Sequence, residues 1–128
     1  MPVLVQTEHR ATLVFDTRDP STRVVVTFHD CLATQFGYPN DEALAGHRLS
    51  RLGLRPYGVF EVTDSSWLER LSRENKVAFP SGSMNGLRHF VITFHDSTFE
   101  CLASGYERRQ LDESAAADIL SELHGDSA

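Results

Sequence analysis

The stretch RHFVITFHDSTFECLASGY, Arg88 to Tyr106, decides the fold. Its β-branched and aromatic residues recur at a spacing of two, the period of side chains along a strand. Read as a tight hairpin with Asp96-Ser97 at the turn, it pairs Phe94 with Phe99, Ile92 with Cys101 and Phe90 with Ala103. One face is then wholly apolar: Phe90, Ile92, Phe94, Phe99, Cys101 and Ala103. The other carries Val91, Thr93, His95, Thr98, Glu100 and Leu102. A one-residue slip would exchange the two faces, so the clean split supports both strands and their alternation. Asp-Ser lacks the glycine that a two-residue type I′ turn prefers in second place, which leaves a bulge or longer loop open.

Working outward, the last element is a helix from about Glu113 to His124. There Ala116, Ile119, Leu120 and Leu123 recur at helical spacing, and Gly125 is its expected stop. Upstream, Ser66-x-x-Glu69 has the form of a capping box, with Asp64 or Ser65 as an alternative cap. The helix it opens carries an apolar stripe of Trp67, Leu68 and Leu71 and should stop near Asn75. Residues 78–86 read as a loop. Tyr57 to Thr63 reads as a strand, and Asn40 caps a short helix ended by Gly46. Further back, Val3 to Val5 is an edge strand, Ala11 to Phe15 a strand and Arg23 to His29 a central strand, the last two joined through Asp19-Pro20-Ser21. Hairpins imply antiparallel pairing, and an apolar sheet face needs helices as cover. The expected class is α+β. We expect a single two-layer domain over residues 1–128, with an antiparallel sheet, free to curl strongly, under two or three helices and frayed ends near 1–2 and 125–128.

Composition narrows the function. The 128 residues carry a net charge of −6, which disfavours binding to nucleic acid or to anionic membranes. There is neither a signal-peptide pattern nor an apolar run of membrane length. Two cysteines, Cys31 and Cys101, fit reduced, buried thiols in a cytoplasmic protein, although a bridge between them stays open. The edge strand at Val3 to Val5 offers a way for two copies to pair as a homodimer.

Thr27-Phe28-His29-Asp30 recurs as Thr93-Phe94-His95-Asp96. Two His-Asp pairs in one site, or two similar strand ends, are the competing readings. The catalytic candidates are His29, Asp30, His95, Asp96 and Glu100, with His95 expected near Glu100 and Thr93 opposite it, where a carboxylate would favour the imidazolium. The plainer alternative is a wet polar patch at a hairpin tip. His29-x-Cys31 is the candidate metal pair, alongside the bland reading of a turn-end histidine and a core thiol. His47, Arg48, Arg51 and Arg55 are the ligand-binding candidates, a basic cluster suited to a carboxylate or phosphate, or simply a solvated loop. No cofactor fingerprint occurs, and none is expected.

The run Thr93-Phe94-His95-Asp96-Ser97-Thr98-Phe99-Glu100-Cys101-Leu102-Ala103 resembles a segment of small stand-alone bacterial proteins without an assigned activity. Gly46-His47, Pro56-Tyr57-Gly58-Val59-Phe60-Glu61-Val62, Ser65-Ser66-Trp67 and His89-Phe90 extend the likeness over about the second half of the chain. The resemblance implies a bacterial cytoplasmic origin. The leading expectation is a binding or interaction module for a small molecule or protein partner. A small biosynthetic-pathway enzyme using His/Asp/Glu acid–base chemistry or a metal is the alternative, and an immunity-type regulator acting by surface charge is a third.

Overall fold

A computed structural model of the protein describes residues 1–126. In chain order the elements are β1 (Val3–Gln6), β2 (Arg10–Asp16), β3 (Thr22–His29), β4 (Ala33–Gly37), β5 (Val59–Val62), α1 (Ser66–Ala78), β6 (Arg88–Thr93), β7 (Thr98–Ala103), β8 (Gly105–Asp112) and α2 (Glu113–Asp126). Two single-turn 3₁₀ helices, Leu44–Gly46 and Ser50–Leu52, lie between β4 and β5. The class is α+β with antiparallel pairing throughout. The strands form two four-stranded sheets rather than one. They fall into two compact units, Met1–Leu32 with Gly105–Ala128, and Ala33–Ser104.

The first unit holds the sheet β1-β2-β3-β8. β3 is interior, as its run of Val24, Val25 and Val26 predicts. On one face Val14 and Val25 pack with Ala116 of α2, with Leu111 and Leu120 beside them. Ala11, Leu13, Val24, Val26 and Phe28 are buried on the other. Asp112 caps α2 by accepting from the Ala115 amide at 2.7 Å. The helix continues through Gly125 to Asp126, one turn-end later than its glycine suggested. Of the expected frayed tail, residues 127–128 lie outside the described residues.

The second unit holds the sheet β4-β7-β6-β5. The β6–β7 hairpin pairs Ile92 with Phe99, Thr93 with Thr98, Val91 with Glu100 and Phe90 with Cys101. Both faces are those expected, but the register is displaced by two residues and the turn is the longer loop Phe94–Ser97. A two-residue slip leaves every side chain on its own face, so alternation could not detect it. Thr93 therefore faces Thr98, not Glu100.

The helix expected from Asn40 is only a 3₁₀ turn, although the Asn40 side chain does accept from the Ala43 amide at 3.0 Å. For α1 the cap is Ser65, which accepts from the Leu68 amide at 3.1 Å. The capping box is not formed; Glu69 turns instead to Arg73, 3.4 Å away. Asp64, at φ 52, turns the chain sharply out of β5 just before that cap. The helix runs to Ala78, past its expected end at Asn75.

Truncating Leu13 to alanine should cost about 2–5 kcal/mol, because the side chain is fully buried and its loss leaves a cavity among buried neighbours. Chemical denaturation of the two proteins checks this.

Candidate functional site

Glu100 lies mid-strand in β7, flanked by β4 and β6. The polar hairpin face to which it belongs is not wet: Thr93, Thr98, His89 and Glu100 are all buried. A carboxylate in such a place must find donors or lose its charge. It finds four. Arg48 donates two hydrogen bonds, Nη2 to Oε1 at 2.6 Å and Nη1 to Oε2 at 3.0 Å. His89 Nε2 lies 2.8 Å from Oε1 and His47 Nε2 lies 3.1 Å from Oε2. Burial pushes the Glu100 carboxyl up, but the hydrogen bonds from His89, Arg48 and His47, with the charge of Arg48, outweigh it and hold the pKa at about 2.

Both histidines are fixed by what touches their other nitrogen. The Leu49 amide donates to His47 Nδ1 at 3.0 Å, so that nitrogen carries no hydrogen and Nε2 donates to Glu100. His89 Nδ1 meets the Ser65 hydroxyl at 2.7 Å. Ser65 Oγ also accepts from the Leu68 amide, and when His89 is neutral with its hydrogen on Nε2, the Ser65 hydroxyl donates to Nδ1. The resulting chain runs Ser65 to His89 to Glu100. Trp67 of α1 packs edge-on against His89, with ring centroids 5.2 Å apart.

Two cavities flank the start of α1. One, of about 540 Å³, is lined by Thr34, Gln35, Arg48, Ser66, Trp67, Arg70 and Arg73. Three of these lining residues are arginines and none is acidic, in a chain whose net charge is −6. The second, of about 530 Å³, includes Ser65 and His89 in its wall.

A separate exposed cluster lies at the β6–β7 loop. Asp41 Oδ2 accepts from the Tyr57 hydroxyl at 2.6 Å and from His95 Nδ1 at 2.9 Å. The Tyr57 and His95 rings stack. The hydrogen bond and charge of Asp41 raise the His95 pKa above its ordinary value. Tyr57 holds φ 59, a left-handed conformation that bulky residues avoid.

The sequence candidates divide accordingly. His47, Arg48 and Glu100 meet in one network. Arg51 and Arg55 do not join it; Arg55 lies over the Phe60 ring at 5.8 Å and Arg51 is exposed in the middle of the Ser50–Leu52 3₁₀ turn. His95 does not pair with Glu100, because its partners are Asp41, Tyr57 and the adjacent Asp96, 3.7 Å away. The two-residue slip and the Phe94–Ser97 loop separate them. His29, Asp30 and Cys31 belong to the first unit, His95, Asp96 and Glu100 to the second. His29 lies 3.6 Å from Glu107, whereas Cys31 is fully buried, because the chain leaves the strand through Asp30 at φ 50. The pair therefore does not share a strand face. Among the described residues no group of three His, Cys, Asp or Glu side chains is placed to hold a metal ion. Both cysteines are buried and neither forms a disulfide, and no described helix is long and apolar enough to cross a membrane. Sequence reasoning missed His89 as a site residue and saw Ser65 only as a cap. The signal available was a histidine on the same hairpin face as Glu100.

No known protein family, curated protein or solved structure matches the chain.

Because the folded pKa of Glu100 is depressed, its contribution to stability is complete above the ordinary carboxyl range and disappears as pH falls from about 4.5 through about 2. That contribution is on the order of 3 kcal/mol. Glu100→Gln should be destabilised by roughly 3–5 kcal/mol at neutral pH and lack this part of the acid dependence. Denaturation at several pH values separates the two. Asp41→Asn should move the His95 pKa back down, since its main cause is the Asp41 bond, as read from the imidazole C–H resonances in an NMR pH titration.

Proposed function

We propose that the protein is a binding module for a small anionic molecule, held by Arg48, Arg70 and Arg73. The cavity lined by three arginines carries this reading. Its volume suits a small ligand. Thr34, Gln35 and Ser66 add neutral hydrogen-bonding groups. The first turn of α1, where unpaired amides and the helix dipole favour negative charge, adds to the field of the arginines. Glu100 fixes Arg48 in place, so part of the ordering cost of binding is met before a ligand arrives. Arg70 and Arg73 lie near Glu74 and Glu69 through exposed pairs at 3.9 and 3.4 Å, contacts weak enough for a ligand to compete with. A carboxylate or phosphate ester fits planar, forked donors best. Two buried thiols outside any disulfide suit a cytoplasmic setting, and the second-half resemblance suggests a bacterial one.

The Asp41–His95 pair favours the second reading, a small enzyme working by proton transfer. There an exposed imidazole is oriented by a carboxylate on one nitrogen.

Titration calorimetry with inorganic phosphate and with citrate tests the first reading. Binding should weaken about tenfold or more in Arg70→Ala/Arg73→Ala and fall with added salt. Equal affinity in the double variant would remove the cavity as the site.

A further inference from the structure

We propose that Ser65, His89 and Glu100 form a nucleophilic relay that hydrolyses small carboxylic esters. Three side chains from three elements meet at hydrogen-bond distance: Ser65 Oγ to His89 Nδ1 at 2.7 Å, and His89 Nε2 to Glu100 Oε1 at 2.8 Å. This is the order nucleophile, base, orienting carboxylate. The ionised Glu100 accepts only, so in its neutral form His89 carries its hydrogen on Nε2 and offers the Nδ1 lone pair to the serine. Arg48 and His47 act as positioning residues, since they hold the carboxylate that holds His89.

Ser65 stands where β5 turns into α1, after the left-handed Asp64. The Leu68 amide that donates to Oγ stabilises charge as the hydroxyl loses its proton. Ser65 and His89 both line the 530 Å³ cavity, where Val62, Leu68, Met84 and Leu87 offer apolar contact to a short acyl chain within a lining that is otherwise polar and charged.

The chemistry balances with water alone. Ser65 Oγ bonds to the ester carbonyl carbon and its proton passes to His89 Nδ1. The bond from that carbon to the alkoxy oxygen breaks, and the alcohol leaves with the proton from His89. Water then attacks the acyl-serine, giving its proton to His89. The acid departs and the proton returns to Ser65 Oγ. The relay lines a different cavity from the anion-binding site but shares Arg48 with it through Glu100; the Arg70→Ala/Arg73→Ala and Ser65→Asn variants therefore test the two readings separately.

The test is to treat the wild-type protein with a small alkyl fluorophosphonate and locate the adduct by peptide mass spectrometry, alongside hydrolysis of p-nitrophenyl acetate. A single adduct on Ser65 is expected, and it should be lost in His89→Gln. Ser65→Asn keeps a good helix cap, checked by circular dichroism, and should lower ester hydrolysis at least 100-fold. No adduct at Ser65, or hydrolysis unchanged in folded Ser65→Asn, would overturn the proposal.

Discussion

The second unit is organised around one buried charge. Glu100 sits in the middle of a sheet, where an unpaired carboxylate would cost several kcal/mol. Its four donors come from His89 on the neighbouring strand and from His47 and Arg48 in the irregular segment between the two 3₁₀ turns. That segment has little regular structure of its own, yet two of its side chains are committed to the sheet. The bond from His89 to Ser65 then carries the constraint into the cap of α1. Strand, loop and helix start are thus tied through one carboxylate, and both cavities open beside those ties.

Such an arrangement is costly for stability alone. A buried ion pair often contributes no more than apolar packing of the same volume. What it provides here is fixed orientation. Arg48 is half-exposed at its cavity yet bound at both nitrogens to a buried acceptor, and each histidine ring is held at both of its nitrogens. Fixed donors and a directed lone pair are what binding and proton transfer both require.

The sequence was legible where alternation or helical spacing was strong. The hairpin faces, the Val24–Val26 strand and both long helices could be read because packing and periodicity agree there. The strands β4 and β8 gave no such signal: Ala33–Gly37 contains a polar pair, and Gly105–Asp112 is mostly exposed, so neither alternates clearly. Hairpin register escaped because a slip of two preserves faces. For the site, Glu100, His47 and Arg48 were singled out, but as separate candidates. Nothing local in the sequence says that a polar hairpin face will be covered, and only covering it turns His89 and Glu100 into a buried pair. Nothing in the sequence marks Arg70 and Arg73 as site residues, since they meet Arg48 only at a cavity built by segments distant in the chain.

The connectivity of the two units also constrains the order of assembly. Strands β3 and β8 are paired neighbours, His29 beside Gly105, as though joined by an ordinary hairpin turn, yet the whole of the second unit is threaded between them. Closing so long a loop from a random chain delays the contact and costs entropy. The second unit removes that delay by itself, since its first strand pairs with a strand near its end, Ala33 beside Leu102. Once it has folded, its entry and exit are neighbours, and β8 meets β3 nearly as a local partner. The connectivity therefore favours folding from the middle of the chain outward, since the sheet of β1, β2 and β3 is completed only by a strand that follows the whole second unit.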